Sequence, residues 1–301
     1  MSGITHRQLA GLLCLAVLTL TSCGPAQPGA RTPTLPPGTL WKTYTDAGNK
    51  AYQQGRYAEA EAQFVAALKE AENLRRLDPE NPNKLGPEDP SLATSLVNLA
   101  DLYVTRGRYT EAEPLLQRSR TYSETNLGPD HPFLATTLSS LASLYRAQGR
   151  VAEAETLLRQ ALTIDEKALG SSHPKVAASL TSLAEIYADQ GQPGEAAPLF
   201  KRGLAIREAA LDPDHPDIAA SLDSLARFYV AQGRDDQAEP LYKRSIAIRS
   251  KTLGPDHLSV ATSLEHYGAL LRKAGRKEEA DQLDRRAKAI RDKHAQENPP
   301  R

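Results

Sequence analysis

Apolar residues recur along most of this chain at helical spacing, and the helical stretches themselves recur. Leu96, Leu99 and Tyr103 stand at i, i+3 and i+7 and mark one face of a helix that Gly107 is placed to end in a left-handed cap. A second run follows each such glycine. Ala154, Leu157, Leu158, Ala161, Leu162 and Ile164 form one stripe that closes near Leu169. The unit predicted is a helix, a tight turn and a second helix.

A phrase of the type QGR-x-x-E-A-E sets the beat of these units. It surrounds Gly55, Gly107, Gly149, Gly191, Gly233 and Gly275, and from Gly107 onward each glycine lies 42 residues after the last. Seven residues before the glycine stand Ala100, Ala142, Ala184, Ala226 and Gly268, and four before it stand Tyr103, Tyr145, Tyr187 and Tyr229. Five after it stand Ala60, Ala112, Ala154, Ala196, Ala238 and Ala280. Small residues recur where two helices must approach closely, and large ones fill the space beside them. A period of this length predicts stacked supersecondary units rather than a globule around one pocket.

Between units lies a second phrase: LGPEDP at 85–90, LGPDHP at 127–132, LGSSHP at 169–174, LDPDHP at 211–216 and LGPDHL at 253–258. Glycine with Asp or Ser stops one helix, and a proline in the first turn of the next gives up an N–H that would have no partner there. His131, His173, His215 and His257 recur in this phrase. Equivalent positions in a stack lie at least a helix width apart, about 8–10 Å. Two of them therefore cannot meet one zinc ion at nitrogen distances of about 2 Å. They are predicted to serve the helix starts.

With these positions in view, the chain resembles the tetratricopeptide repeat family. The pattern LGPDHP...A..L..LA.LY..QGR..EAE.L..R.L.I.E is similar to the long variety found in kinesin light chains. The resemblance covers roughly residues 39–294 and implies an all-α, right-handed superhelical solenoid of about six helix pairs. Eight residues more than the usual 34 amount to about two extra helical turns per unit. Units are expected near 39–76, 90–127, 132–169, 174–211, 216–253 and 258–294, followed by a disordered tail at 295–301. In the kinesin light chain type the phrase LNNLA implies asparagines that hold a bound peptide's backbone. Here Asn98 keeps one, while the equivalents read Ser139-Ser140, Thr181-Ser182, Asp223-Ser224 and Glu265-His266, so the resemblance does not extend to the same cargo motif.

The ends of the stack carry their own signals. Leu116, Leu158, Phe200 and Tyr242 give way to Asp284 in the last unit, and Leu162, Leu204 and Ile246 give way to Lys288. A terminal helix with nothing stacked on it must tolerate water. The first interval, Gly55 to Gly107, is 52 residues, and its ten extra residues around 77–86 are expected to form a surface loop.

The N-terminus adds an address. His6 and Arg7 precede an apolar run from Leu9 to Leu20 that breaks into Thr21-Ser22-Cys23-Gly24, the shape of a secretory signal spanning 1–22. Leu20-Thr21-Ser22-Cys23 resembles a bacterial lipobox, which implies cleavage before Cys23, its lipidation, and a membrane-tethered protein. Gly24 in place of Asp implies outer-membrane retention, facing the periplasm. Residues 24–38 hold five prolines and three glycines and read as an extended linker. Cys14 lies in the apolar run and would be discarded, leaving the folded body without a thiol or disulfide.

Composition narrows the function. With 37 basic and 37 acidic residues, nothing suggests a nucleic-acid face. No CxxC, HExxH, GxSxG, P-loop or dinucleotide motif occurs, so no enzyme, cofactor or metal role is expected. The resemblance implies that the first helix of each unit lines a concave groove. Matching positions are Thr94, Val97, Asn98, Asp101, Thr136, Ser139, Ser143, Arg146, Thr181, Glu185, Asp223, Arg227, Glu265 and Arg272. Mostly small and polar with both charge signs, they suit a hydrogen-bonded extended peptide or partner helix. The expected function is a membrane-anchored scaffold or adaptor in the cell envelope. The alternative is a fixed subunit of a secretion, pilus or outer-membrane biogenesis complex.

Overall fold

The structure is a computed structural model that describes residues 38–76 and 89–297. The expected signal peptide, Cys23, the expected linker to residue 37 and the expected loop at 77–86 lie outside the described residues. Within them the chain forms twelve α-helices in six hairpins: α1 (Thr39–Gln53) and α2 (Tyr57–Arg76), α3 (Ser91–Thr105) and α4 (Tyr109–Tyr122), α5 (Pro132–Ala147) and α6 (Val151–Leu169). The second half repeats the plan with α7 (Pro174–Asp189) and α8 (Pro193–Ala210), α9 (Pro216–Ala231) and α10 (Asp235–Thr252), α11 (Leu258–Lys273) and α12 (Lys277–Glu297). The periodicity predicted every hairpin. Two details differ: α4 ends in a π-helical turn at Ser123–Leu127, and α12 continues through Glu297 where a disordered tail was expected from 295.

The recurring residues explain the hairpins. All six turn glycines hold φ between 68° and 78°, the left-handed region that glycine enters without cost. The residue after the glycine donates its N–H to the carbonyl five residues back, as Arg108 does to Tyr103 and Arg150 to Tyr145, both at 2.8 Å. Glycine itself bonds three residues back, so each first helix ends in a Schellman cap. The histidines open helices as expected. His131, His173, His215 and His257 accept through Nδ1 from the N–H of Phe133, Lys175, Asp217 and Ser259 at 3.1–3.2 Å. Asp89 takes this role for α3, accepting from Ser91 N at 2.8 Å.

Packing follows from the small residues. Ala100, Ala184, Ala226 and every alanine five after the turn glycine are fully buried, and Leu116, Leu158, Phe200 and Tyr242 fill the adjacent space. Each hairpin packs on the next, and each odd-numbered helix also touches the next odd-numbered helix. The even-numbered helices have no comparable contact with one another. Odd-numbered helices are thus the more closely spaced layer and form the inside of the curve.

Polar ties reinforce the seams on the outer edge. Arg108 donates to Glu61 of the preceding unit at 2.8 Å, Arg150 to Glu113 at 3.2 Å and Arg276 to Glu239 at 2.7 Å. Arg108 and Arg150 also lie over Tyr103 and Tyr145, with the guanidinium carbon 4.0 and 3.6 Å from the ring centres. The tie is absent at two seams: between the third and fourth units Gln192 replaces the arginine, and between the fourth and fifth Ala197 stands in the glutamate's place opposite exposed Arg234. Ala197→Glu is expected to stabilise the body by about 0.2–1 kcal/mol, as exposed pairs do. Urea denaturation at low and high salt checks this, and the gain should shrink in salt.

The first hairpin varies the packing theme. Gly48 takes the position of Ala100, and a Cβ built there would lie 2.5 Å from two ring carbons of Phe64. Gly48→Ala is expected to cost about 1–3 kcal/mol by overpacking, despite alanine's better helix propensity. Thermal denaturation measures it. A variant as stable as the parent would show that Phe64 is free to move aside.

Candidate functional site

The inner face is built from one side of α3, α5, α7, α9 and α11, at positions ten, nine, six and three before each turn glycine. Position three before the glycine lies one helical turn from position six, so long side chains there reach the next unit. Arg146 shows this, donating from Nε to Asp189 at 2.6 Å and from Nη1 to Glu185 at 2.5 Å. Ser224 of the following unit adds a 3.0 Å bond to the other oxygen of Glu185. Three units are tied along the groove floor by this chain of bonds.

Toward the C-terminal end the polar groups turn inward. Asp223 is only 6% exposed, beneath the surface rather than on it. It accepts from Ser263 at 3.0 Å, meets His266 Nδ1 at 2.8 Å, and has Arg249 3.8 Å away. Burial alone would raise its carboxyl, but His266, Arg249 and Ser263 together hold it below the ordinary range. Glu265 accepts from Nε and Nη2 of Arg291, both at 2.6 Å. Arg272 turns to Asp284 on α12 and away from a neighbouring unit.

Several expected groove residues are thus already occupied. Val97 is buried, and Thr94, Thr136, Thr181 and Ser143 donate their hydroxyls to the carbonyl four residues back in their own helices. Ser139, half-buried, supplies the carbonyl that receives Ser143. Three polar groups keep capacity for a partner. Asn98 is half-buried with no hydrogen bond to its amide, and Arg227 is exposed with no ion pair, among the described residues. The third, Asp101, is half-buried, and desolvation pushes its carboxyl up to about 6 against an opposing hydrogen bond from Ser140. Beside it, Tyr52 and Thr105 share a 2.8 Å hydroxyl contact.

Sequence reasoning missed Asp189 and Arg291. Asp189 lies one turn beyond Glu185 on the same stripe and was within reach of the pattern. Arg291 projects from α12, an even-numbered helix, so no inner-face register could have found it.

Six antiparallel hairpins stacked through small residues, with a polar inner face, define a helical-repeat scaffold. The family described as Tetratricopeptide repeat matches residues 91–167, 135–209, 176–251 and 217–293, and a second, described as Protein of unknown function (DUF2753), matches 39–125. The chain belongs to the tetratricopeptide repeat family. No curated protein matches. Among solved structures, the nearly identical TPR-like repeats of a putative kinesin light chain from Podosopora anserina share 34% identity at a TM-score of 0.53, covering 71% of this chain and all of that one. BtubC (BKLC) from P. vanneervenii shares 23% identity at a TM-score of 0.60, covering 81% of this chain and 93% of its own. The Rap conjugation gene regulator of plasmid pLS20, in complex with the Phr* peptide, shares 14% at 0.64, covering 89% and 66%. Membership of this family supports a protein interaction scaffold, and such repeat proteins are generally not enzymes.

Asp101 supplies a pH test of the inner face. Its folded value, about 6, lies above the ordinary aspartate value of about 3.9, so its contribution to stability is complete below the ordinary value and is lost as pH rises through about 6. Asp101→Asn is expected to flatten that part of the stability profile, followed by urea denaturation across this range. An unchanged profile would place the carboxylate in open water.

Proposed function

We propose that this chain is a lipid-anchored adaptor of the bacterial envelope that holds an extended segment of a protein partner on its inner face. One observation carries the reading: after the internal pairs along α3 to α11 are counted, Asn98, Asp101 and Arg227 remain available in the second and fifth units. An extended peptide runs about 3.3 Å per residue and exposes backbone groups throughout, which fits a surface whose free polar groups are spaced several helices apart. The peptide bound to the pLS20 Rap regulator, a protein with the same fold, supports this class of partner. Anchoring is supported by the sequence alone: His6 and Arg7, the apolar run Leu9 to Leu20, and Leu20-Thr21-Ser22-Cys23. Residues 24–38 then act as a tether that, at about 3.1 Å per residue in polyproline II form, reaches roughly 45 Å from the lipid.

Two substitutions separate the halves of this reading. Cys23→Ser is expected to release the protein from membranes and remove the lipid mass, read by fractionation and mass spectrometry. Arg227→Glu is expected to leave the anchor intact and to abolish recovery of partners that co-purify with the detergent-extracted parent. Unchanged co-purification would remove the groove from the proposal, and unchanged fractionation of Cys23→Ser would remove the lipid.

A further inference from the structure

The first and last units meet. The carbonyl of Gln54, in the turn between α1 and α2, is in hydrogen-bond contact with His294 near the end of α12. A Cβ on Gly55 would lie 2.9 Å from His294 Cε1 and 3.0 Å from Leu258 Cδ1. The five equivalent glycines, Gly107, Gly149, Gly191, Gly233 and Gly275, have nothing within 4 Å of that point. Beside the contact, Gln53, Gln54, Arg56, Asp256, His257, Leu258 and His294 line a cavity of about 330 Å³. The position of Gly55 is therefore covered by the far end of the same body.

The edges that meet are opposite ones. Residues 54–56 are a turn within a hairpin, whereas Asp256 and His257 belong to a connection between hairpins that Leu258 closes by opening α11, and these two kinds of loop sit at opposite ends of the helices. The last unit consequently overlaps the first along the superhelix axis, as the ends of a lock washer do. An overlap of this kind closes the side of the groove.

We infer that this clasp makes the inner face a laterally closed passage that admits an extended chain along the axis and excludes a folded domain until the clasp opens. The inference rests on the groove reading above and specifies its partner as an unfolded segment or chain end. The contact is small and largely polar, so water competes for it and opening is accessible.

Probes of different size test this without knowledge of the partner. In the full chain with Cys14→Ser and Cys23→Ser, single cysteines are placed at exposed inner Ser143 and at exposed Gln160 on α6. N-ethylmaleimide is expected to modify both. A maleimide carried on a small folded protein is expected to modify Ser143→Cys roughly tenfold or more slowly than Gln160→Cys, the retardation given by a passage open about a tenth of the time. Gly55→Asn should abolish that difference and Gly149→Asn should not, because asparagine tolerates positive φ and only Gly55 is covered.

Equal bulky labelling of the two sites in the parent, or equal opening by the two glycine variants, would overturn the inference. Should Gly55→Asn fail to fold, spin labels at Gln53 and Asp256 decide instead: one short distance supports the clasp, and a long, broad distribution refutes it. If the clasp fails while Arg227→Glu still loses the partner, the groove reading survives. If the clasp holds and Arg227→Glu changes nothing, the passage stands and the groove reading falls.

Discussion

Close approach of helices at alanine governs this molecule. An alanine at the crossing lets two backbones come near enough for the leucine, phenylalanine or tyrosine four residues further along the second helix to interlock, as Ala112 and Leu116 do in complete burial. Each unit alone would expose the other side of its helices, and only its neighbour covers that side. Stability is therefore distributed along the stack, and each terminal unit is covered by one stacked neighbour beside the small contact between the two ends.

Once the hairpins stack, polar chemistry is constrained by their repeat. A side chain on one unit faces its counterpart on the next, so pairs recur at nearly fixed sequence separations: Lys167 with Asp130 and Lys293 with Asp256 on the loop edge, Arg150 with Glu113 on the turn edge. Most of these pairs are exposed and each contributes little, but together they fix the register of one unit on the next. The inner face obeys the same rule with less regularity. Arg146 pairs with both Glu185 and Asp189, Asp223 is buried beneath His266, and Asn98, Asp101 and Arg227 are left over. A partner meets that remainder, and not the full set of charges counted along the chain.

The hairpins, their turns and their core were legible because each depends on local spacing. Gly107 ends α3 for reasons contained within five residues, and His131 opens α5 through an atom two residues from the N–H it caps. The candidate site was legible in outline only. Position along a helix predicts which side chains face inward, yet whether Asp101 stays available or Arg272 turns to Asp284 depends on what the adjacent helix presents.

By itself the sequence determined the helical class, the six-unit count, the capping chemistry and the polar last helix, because all of these follow from periodicity and the conformational preferences of glycine, proline and histidine. Tertiary structure alone decided which inner charges are spent on each other and that Gln54 meets His294 across 240 positions. Small rotations between successive units accumulate along a stack. No single repeat encodes their sum, so the meeting of the two ends emerges only when all six are assembled.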